Sequence, residues 1–150
     1  DALAAAACLP RLADLSLRWC HALTDAGLAS LACAPAIRAL NLSYCEFSDQ
    51  GIGHLGGLRG LTSLNLSGCG GLTEEGVRGV TSHRMAALVD LDLSGTAVSD
   101  ACLEGAAGMP NLARLNLGGC KGVSEEGKGL VMHMMDRFGT AKRKGAGKVL

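Results

Sequence analysis

The chain has 150 residues, 14 basic and 14 acidic side chains and seven cysteines, with 48% hydrophobic but only 3% aromatic content. That length suits one domain with a sizeable core, and the balanced charge excludes a chain that binds polyanions over its whole surface. No apolar run reaches the roughly 18 residues that a membrane-spanning helix needs, and the scarcity of aromatics points to a core of stacked Leu, Val, Ala and Cys.

The opening DALAAAACLPRL lacks the basic start of a signal peptide. It aligns instead at an offset of 25 with a later stretch, Leu3 with Leu28, Ala7 with Ala32, Cys8 with Cys33 and Pro10 with Pro35. Residues 1–11 therefore read as the back half of a repeat, and the chain is expected to be part of a longer protein. From Leu12 the sequence then says nearly the same thing five times: LADLSLRWCHALTDAG from Leu12, IRALNLSYCEFSDQG from Ile37, LTSLNLSGCGGLTEEG from Leu61, LVDLDLSGTAVSDAC from Leu88 and LARLNLGGCKGVSEEG from Leu112. The third leucine-type position falls at Leu17, Leu42, Leu66, Leu93 and Leu117, with spacings of 25, 24, 27 and 24.

Within each copy the alternating leucines predict a short strand with one face inward. Thr24, Ser48, Thr73, Ser99 and Ser124 follow as predicted helix N-caps, each with an acid behind it that favours the positive helix end. Pro35 and Pro110 stop helices before the next strand. The third copy is longer between Val77 and Leu88, an insertion carrying His83 and Arg84 that is expected to widen the helix side. In the last copy Leu130, Val131, Met134, Met135 and Phe138 recur at helical spacing. They predict a helix from Glu125 to Phe138 that closes the end of the core, while Lys128 breaks the apolar series Leu28, Ile52, Val77 and Leu103. The repeat domain thus runs over residues 1–138, with the five copies at 12–138. Residues 139–150, with Lys142, Arg143, Lys144 and Lys148 and no acid, are expected to form a flexible basic tail. They leave ten basic against 14 acidic side chains in the body.

Internal periods of about 20 to 30 residues with an LxxLxL core read as leucine-rich repeats. The pattern LxxLxLxxC followed by T/S-D/E-x-G resembles the cysteine-containing subclass of that family, best known from F-box-linked repeat proteins, the substrate-binding arms of cullin ubiquitin ligases. The resemblance covers roughly Leu3 to Leu130. It implies an α/β solenoid, a curved horseshoe with parallel strands on the concave side and helices on the convex side. It also implies a non-catalytic protein–protein interaction module, possessed of no small-molecule substrate; the alternative is a structural scaffold subunit of a large multiprotein assembly.

Cys20, Cys45, Cys69 and Cys120 share one repeat position, taken by Thr96 in the fourth copy, and Cys8 and Cys33 share another. Neighbouring strands lie about 4.7 to 4.9 Å apart, too far for the roughly 2 Å of a disulfide, so buried thiols are expected. An odd count without a disulfide framework favours a reducing compartment, the cytoplasm with the nucleus or an intracellular assembly as variants. No cysteine–histidine spacing fits a zinc site, no cysteine is tied by motif to a histidine, and the glycine clusters lack the phosphate-loop pattern. No metal, cofactor or catalytic residue is therefore expected.

The outward strand positions carry Asp14, Ser16 and Arg18; Ala39, Asn41 and Ser43; Ser63, Asn65 and Ser67; Asp90, Asp92 and Ser94; and Arg114, Asn116 and Gly118. This predicts a shallow polar face, fit for a protein partner close to the backbone and without a small-molecule pocket. Asp14, Ser16, Arg18, Asn41, Asn65, Asp90, Asp92, Arg114 and Asn116 are the candidate contacts. The same face also reads as ordinary solvated surface, with Asp90 and Arg114 as a cross-strand ion pair. Trp19 and Tyr44 stand before the ladder cysteine on neighbouring rungs, where later copies have Gly68, Gly95 and Gly119. Both types are enriched in binding hot spots, so both join the candidate contacts; an aromatic packed over the turn is the competing reading. No aromatic interleaves Lys142-Arg143-Lys144, which argues against sequence-selective nucleic-acid binding.

Overall fold

In each copy a leucine turns inward between two residues that face out, which makes a strand of three residues, and a second inward leucine follows directly after it. The computed structural model, which describes residues 2–81, 85–139 and 148–149, sets β1 (Asp14–Ser16), β2 (Ala39–Asn41), β3 (Ser63–Asn65), β4 (Asp90–Asp92), β5 (Arg114–Asn116) and β6 (Lys148–Val149) side by side in chain order. All pairings are parallel, and Leu15, Leu40, Leu64, Leu91 and Leu115 lie opposite one another from rung to rung. Leucine therefore stacks on leucine. Leu40, Leu64, Leu91 and Leu115 are buried, as are Leu42, Leu66, Leu93 and Leu117 behind them, each worth about 1.5–3 kcal/mol over exposure. Leu15 and Leu17 are only partly buried, because β1 has a strand neighbour on one side alone.

The helices α1 (Ala2–Ala7), α2 (Asp25–Leu31), α3 (Asp49–His54), α4 (Glu74–Val80), α5 (Leu103–Ala107) and α6 (Glu125–Gly139) form the second layer, with 3-10 turns at Leu55–Gly57 and Asp100–Cys102. Most are far shorter than a helix stable by itself, so caps and packing must hold them. All five predicted N-cap hydroxyls accept a first-turn N–H, from Gly27, Gln50, Glu75, Ala101 and Gly127 respectively.

The acids behind those caps do more than favour the helix end. Asp25 accepts the Ser48 N–H at 2.9 Å and its hydroxyl at 2.5 Å. Asp49 treats Thr73 the same way at 2.9 and 2.5 Å, and Asp100 takes Ser124 at 2.9 and 2.7 Å. One residue of each first turn thus fixes the cap of the next rung. This explains the glycine of the T/S-D/E-x-G motif: a Cβ on Gly51, Gly76 or Gly127 would run into the carboxylate of Asp25, Asp49 or Asp100. The fourth copy has Cys102 in that place, and there the acid one rung back is the longer Glu74, which accepts the Ser99 hydroxyl.

Several expectations need correction. Cys45, Cys69 and Cys120 are buried, but Cys20 is exposed, as are Cys8 and Cys33. The cause is the ladder itself: the thiols of Cys45, Cys69 and Cys120 donate to the carbonyls of Leu17, Leu42 and Leu93 one rung back, at 3.0 to 3.1 Å. Cys20, on the first rung, has no such carbonyl behind it. Of the stripe meant to close the core, Val131 is buried but Leu130 is 52% exposed; the side chains of Met134, Met135 and Phe138 lie outside the described residues, as do His83 and Arg84. Lys128 is half-buried and pairs with Glu125 at 2.8 Å. Of the tail expected to be flexible, Lys148–Val149 pairs with β5, Gly139 ends α6, and the remainder lies outside the described residues.

Candidate interaction surface

Each rung leaves its strand through a turn whose fourth residue past the central leucine adopts a left-handed backbone. Gly68, Gly95 and Gly119 do so with φ of +69°, +68° and +74°, and Trp19 and Tyr44 do so with +63° and +58°. The turn demands this because the N–H there donates to the next rung: Trp19 to the Ser43 carbonyl at 3.0 Å, Tyr44 to Ser67 at 2.9 Å and Gly68 to Ser94 at 2.8 Å. For a bulky side chain this conformation costs about 1–3 kcal/mol and marks a place to look for function.

The two aromatics are stacked, with ring centroids 4.2 Å apart and planes 6° from parallel. A Cβ on Gly68 would meet Cδ1 and Cε1 of Tyr44 at 2.5 Å, so glycine there lets the Tyr44 ring lie over the next turn. The column therefore runs from the Gly68 backbone through Tyr44 to Trp19. Packing over the turn and surface display both hold: Trp19 remains 52% and Tyr44 38% exposed. The Arg18 guanidinium stands 6.0 Å from the Trp19 centroid and 5.5 Å from that of Tyr44. Being nearly equidistant from two stacked rings, it lies alongside the column rather than over a face.

The stack also walls an open depression of about 870 Å³ that His21, Glu46, Gly70 and Gly71 share and that Arg18 does not line. His21 tilts toward Trp19 at 5.9 Å and its Nδ1 is 3.6 Å from Glu46 Oε1. Sequence reasoning missed His21 and Glu46. Their signal was their shared place directly after a ladder cysteine on adjacent rungs.

The sheet face is more committed than its sequence suggested. Oδ1 of Asn41, Asn65, Asp92 and Asn116 accepts the N–H two residues on, at Ser43, Ser67, Ser94 and Gly118, at 2.9 to 3.0 Å. These side chains close the strand ends as Asx turns. Asn116 Nδ2 also donates to Asp92 Oδ2 at 3.1 Å. Arg114 pairs with Asp90 through Nη2 at 2.9 Å and Nε at 3.0 Å, the anticipated cross-strand ion pair. Asp14, Ser16 and Arg18 are exposed on the first rung. Around Asp14, Ala39 and Ser63 the face forms only a shallow hollow of about 360 Å³.

Charge states follow the bonding. The Ser48 hydroxyl and N–H hold the Asp25 carboxyl below its usual range, and Ser124 does the same to Asp100. Burial pushes the Cys69 thiol up to about 11 and raises Cys45 and Cys102 as well, which makes these sulfurs poor nucleophiles at neutral pH. Among the described residues no group of three or more His, Cys, Asp or Glu side chains gathers as a metal site would require.

The family described as Leucine Rich repeat matches residues 12–32, 35–55 and 59–80. These three stretches are leucine-rich repeats. The C-terminal domain of tropomodulin from Caenorhabditis elegans superposes with a TM-score of 0.70 over 88% of this chain and 87% of that one, at 15% identity. A leucine-rich-repeat protein of Leptospira interrogans aligns with a TM-score of 0.49 and 18% identity over 71% of this chain. An internalin of Listeria monocytogenes does so with 0.43 and 17% over 81%. The chain spans 26% and 49% of those last two proteins. At 15% identity the likeness to the tropomodulin domain is one of fold, and with the matched repeats and the parallel rungs that fold is a leucine-rich-repeat solenoid. Leucine-rich-repeat arrays present extended faces and generally bind protein partners, and no catalytic family is indicated. No helix among the described residues is long and apolar enough to cross a membrane.

Proposed function

We propose that this solenoid is a non-catalytic protein-recognition module that meets its partner along the first rungs of the sheet face and the Trp19–Tyr44 edge. The observation that carries the reading is an exposed aromatic pair held on a left-handed backbone that three other rungs leave to glycine. Stability alone favours glycine there, and an exposed stack is what a binding hot spot uses. The repeat pattern's resemblance to F-box-linked proteins supports a finer reading, the substrate-binding arm of an F-box-type ubiquitin ligase. The bonding of Cys45, Cys69 and Cys120 as thiols accords with work in a reducing compartment such as the cytoplasm.

A structural scaffold subunit is the second reading. It is favoured by Leu130 and Met132, 52% and 40% exposed on α6 at the opposite end of the solenoid, which offer a second apolar contact. Affinity capture from native extract, with the Trp19→Ala, Tyr44→Ala double variant beside the wild type, tests both. Recovery of a cullin adaptor with sub-stoichiometric clients, the clients lost in the double variant, supports the ligase arm. Equimolar companions that survive the double variant support the scaffold and remove the aromatic edge from the account.

A further inference from the structure

We infer that the Trp19–Tyr44 edge takes an extended segment of a partner protein, with a carboxylate side chain set against Arg18 and a neighbouring ring or proline laid on the stacked aromatics. This rests on the recognition reading above and narrows it. Arg18 is exposed, and among the described residues its guanidinium has no carboxylate or hydrogen-bond acceptor, only the two rings beside it. The other arginine on the sheet face, Arg114, is already neutralised by Asp90. An arginine fork presents several donors to a carboxylate at once, so the unfilled fork at Arg18 specifies the charge of what docks there.

The rest of the edge specifies shape. Tyr44 is covered on one face by Trp19 and on the other by the Gly68 turn, which leaves the outer face of Trp19 as the flat surface on offer. Among the described residues neither the indole N–H of Trp19 nor the Tyr44 hydroxyl has a partner in the protein, so both remain available to the backbone carbonyls of an extended chain. Glu46 and Asp25 line the depression beside the stack, whereas Arg18 does not. They repel a carboxylate from that side and direct it to Arg18. A nucleic-acid strand fits less well, because its repeated phosphates would cross a face bearing Asp14, Asp90 and Asp92, whereas a peptide brings a single anion to a single cation.

The test is a library of random displayed peptides selected on the full chain, with counter-selection on the Trp19→Gly variant. Binding is then read from the fluorescence of Trp19, the chain's one tryptophan. The inference expects recovered peptides to carry Asp or Glu beside a proline or aromatic. Replacing that acid by its amide should weaken binding about tenfold, the size of one modest charge-assisted contact, and Arg18→Met should abolish the difference between acid and amide. Peptides that tolerate the amide, or bind Arg18→Met equally well, overturn the carboxylate assignment and leave protein recognition standing. A selection that yields no Trp19-dependent peptide overturns the inference too, and the partner capture described above then decides whether recognition itself fails. Quenching of Trp19 by an oligothymidine strand in place of peptides would reassign the edge to nucleic acid.

Discussion

Asp25 and Ser48 sit on successive rungs, and the carboxylate of the first accepts both donors of the second, the N–H at 2.9 Å and the hydroxyl at 2.5 Å. Gly51 passes beside the same carboxylate, and only the lack of a Cβ lets it. One contact thereby accounts for three motif positions: the hydroxyl cap, the acid after it one rung earlier, and the glycine two residues beyond the acid.

Two glycines of α3 consequently respond in opposite ways to the same change. Gly51→Ala forces a methyl against Asp25 and leaves it 3.0 Å from Leu28 Cδ1, and is expected to destabilise by about 1–3 kcal/mol. A methyl on Gly53 meets nothing within 4 Å, so Gly53→Ala should stabilise by about 0.5–1 kcal/mol through helix propensity. Urea unfolding of the two variants beside the wild type decides it; equal effects would mean that the acid yields freely.

Acid should loosen these links in a definite direction. Asp25 and Asp100 have folded-state pKa values lowered from 3.8, so in the unfolded chain they bind protons more readily than in the fold. Their stabilising contribution is full above the unfolded value and is lost as pH falls through the lower, folded one. Melting temperatures measured from neutral pH down to about pH 3 should fall at the acid end. The fall should be shallower in Asp25→Asn, which keeps an acceptor for the Ser48 N–H but does not titrate. An identical acid limb in the variant would show that other groups govern it.

The thiol ladder predicts reactivity. Cys8, Cys20 and Cys33 are exposed, and Cys45, Cys69, Cys102 and Cys120 are buried. Ellman's reagent should label three thiols rapidly in the native chain and all seven after denaturation. Fast labelling of Cys69 in the native state would contradict its burial and its raised pKa.

Replacing Trp19 and Tyr44 together by glycine separates strain from function. The exchange relieves two left-handed backbones at about 1–3 kcal/mol each, loosens the unfolded chain at two new glycines and forfeits a stack worth about 0.5–1.5 kcal/mol. Stability should hold or rise slightly while partner binding is lost. A large drop in melting temperature would make the pair a structural element.

The strands, the caps and the inward leucines were all legible because each depends on a local period or a local hydrogen bond. Tertiary commitments were not. Asn41 and Asn65 looked like free surface amides, although their place two residues before a serine carried the Asx-turn signal. Cys20 looked equivalent to Cys45 because a repeat pattern does not say which rung lacks a carbonyl behind it. Trp19 and Tyr44 drew notice by residue type and by standing on neighbouring rungs where later copies have glycine. That they are stacked in parallel, strained and flanked by an arginine with no acceptor among the described residues depends on the left-handed turn, which the glycines of later copies hinted at without naming the angle.

The rung-to-rung acid links also bear on how the array comes apart. Each cap from Ser48 onward is completed by the repeat before it, so a repeat that melts exposes the cap of its successor, and the array should behave as a chain of nearest-neighbour couplings rather than a sum of independent units. Cutting one link at Asp49 would weaken that chain near its middle, where the β2–β3 pairing and the stacked leucines remain. Calorimetry should then register a broader transition than that of the intact array, its cooperativity lowered by the loss of a single carboxylate.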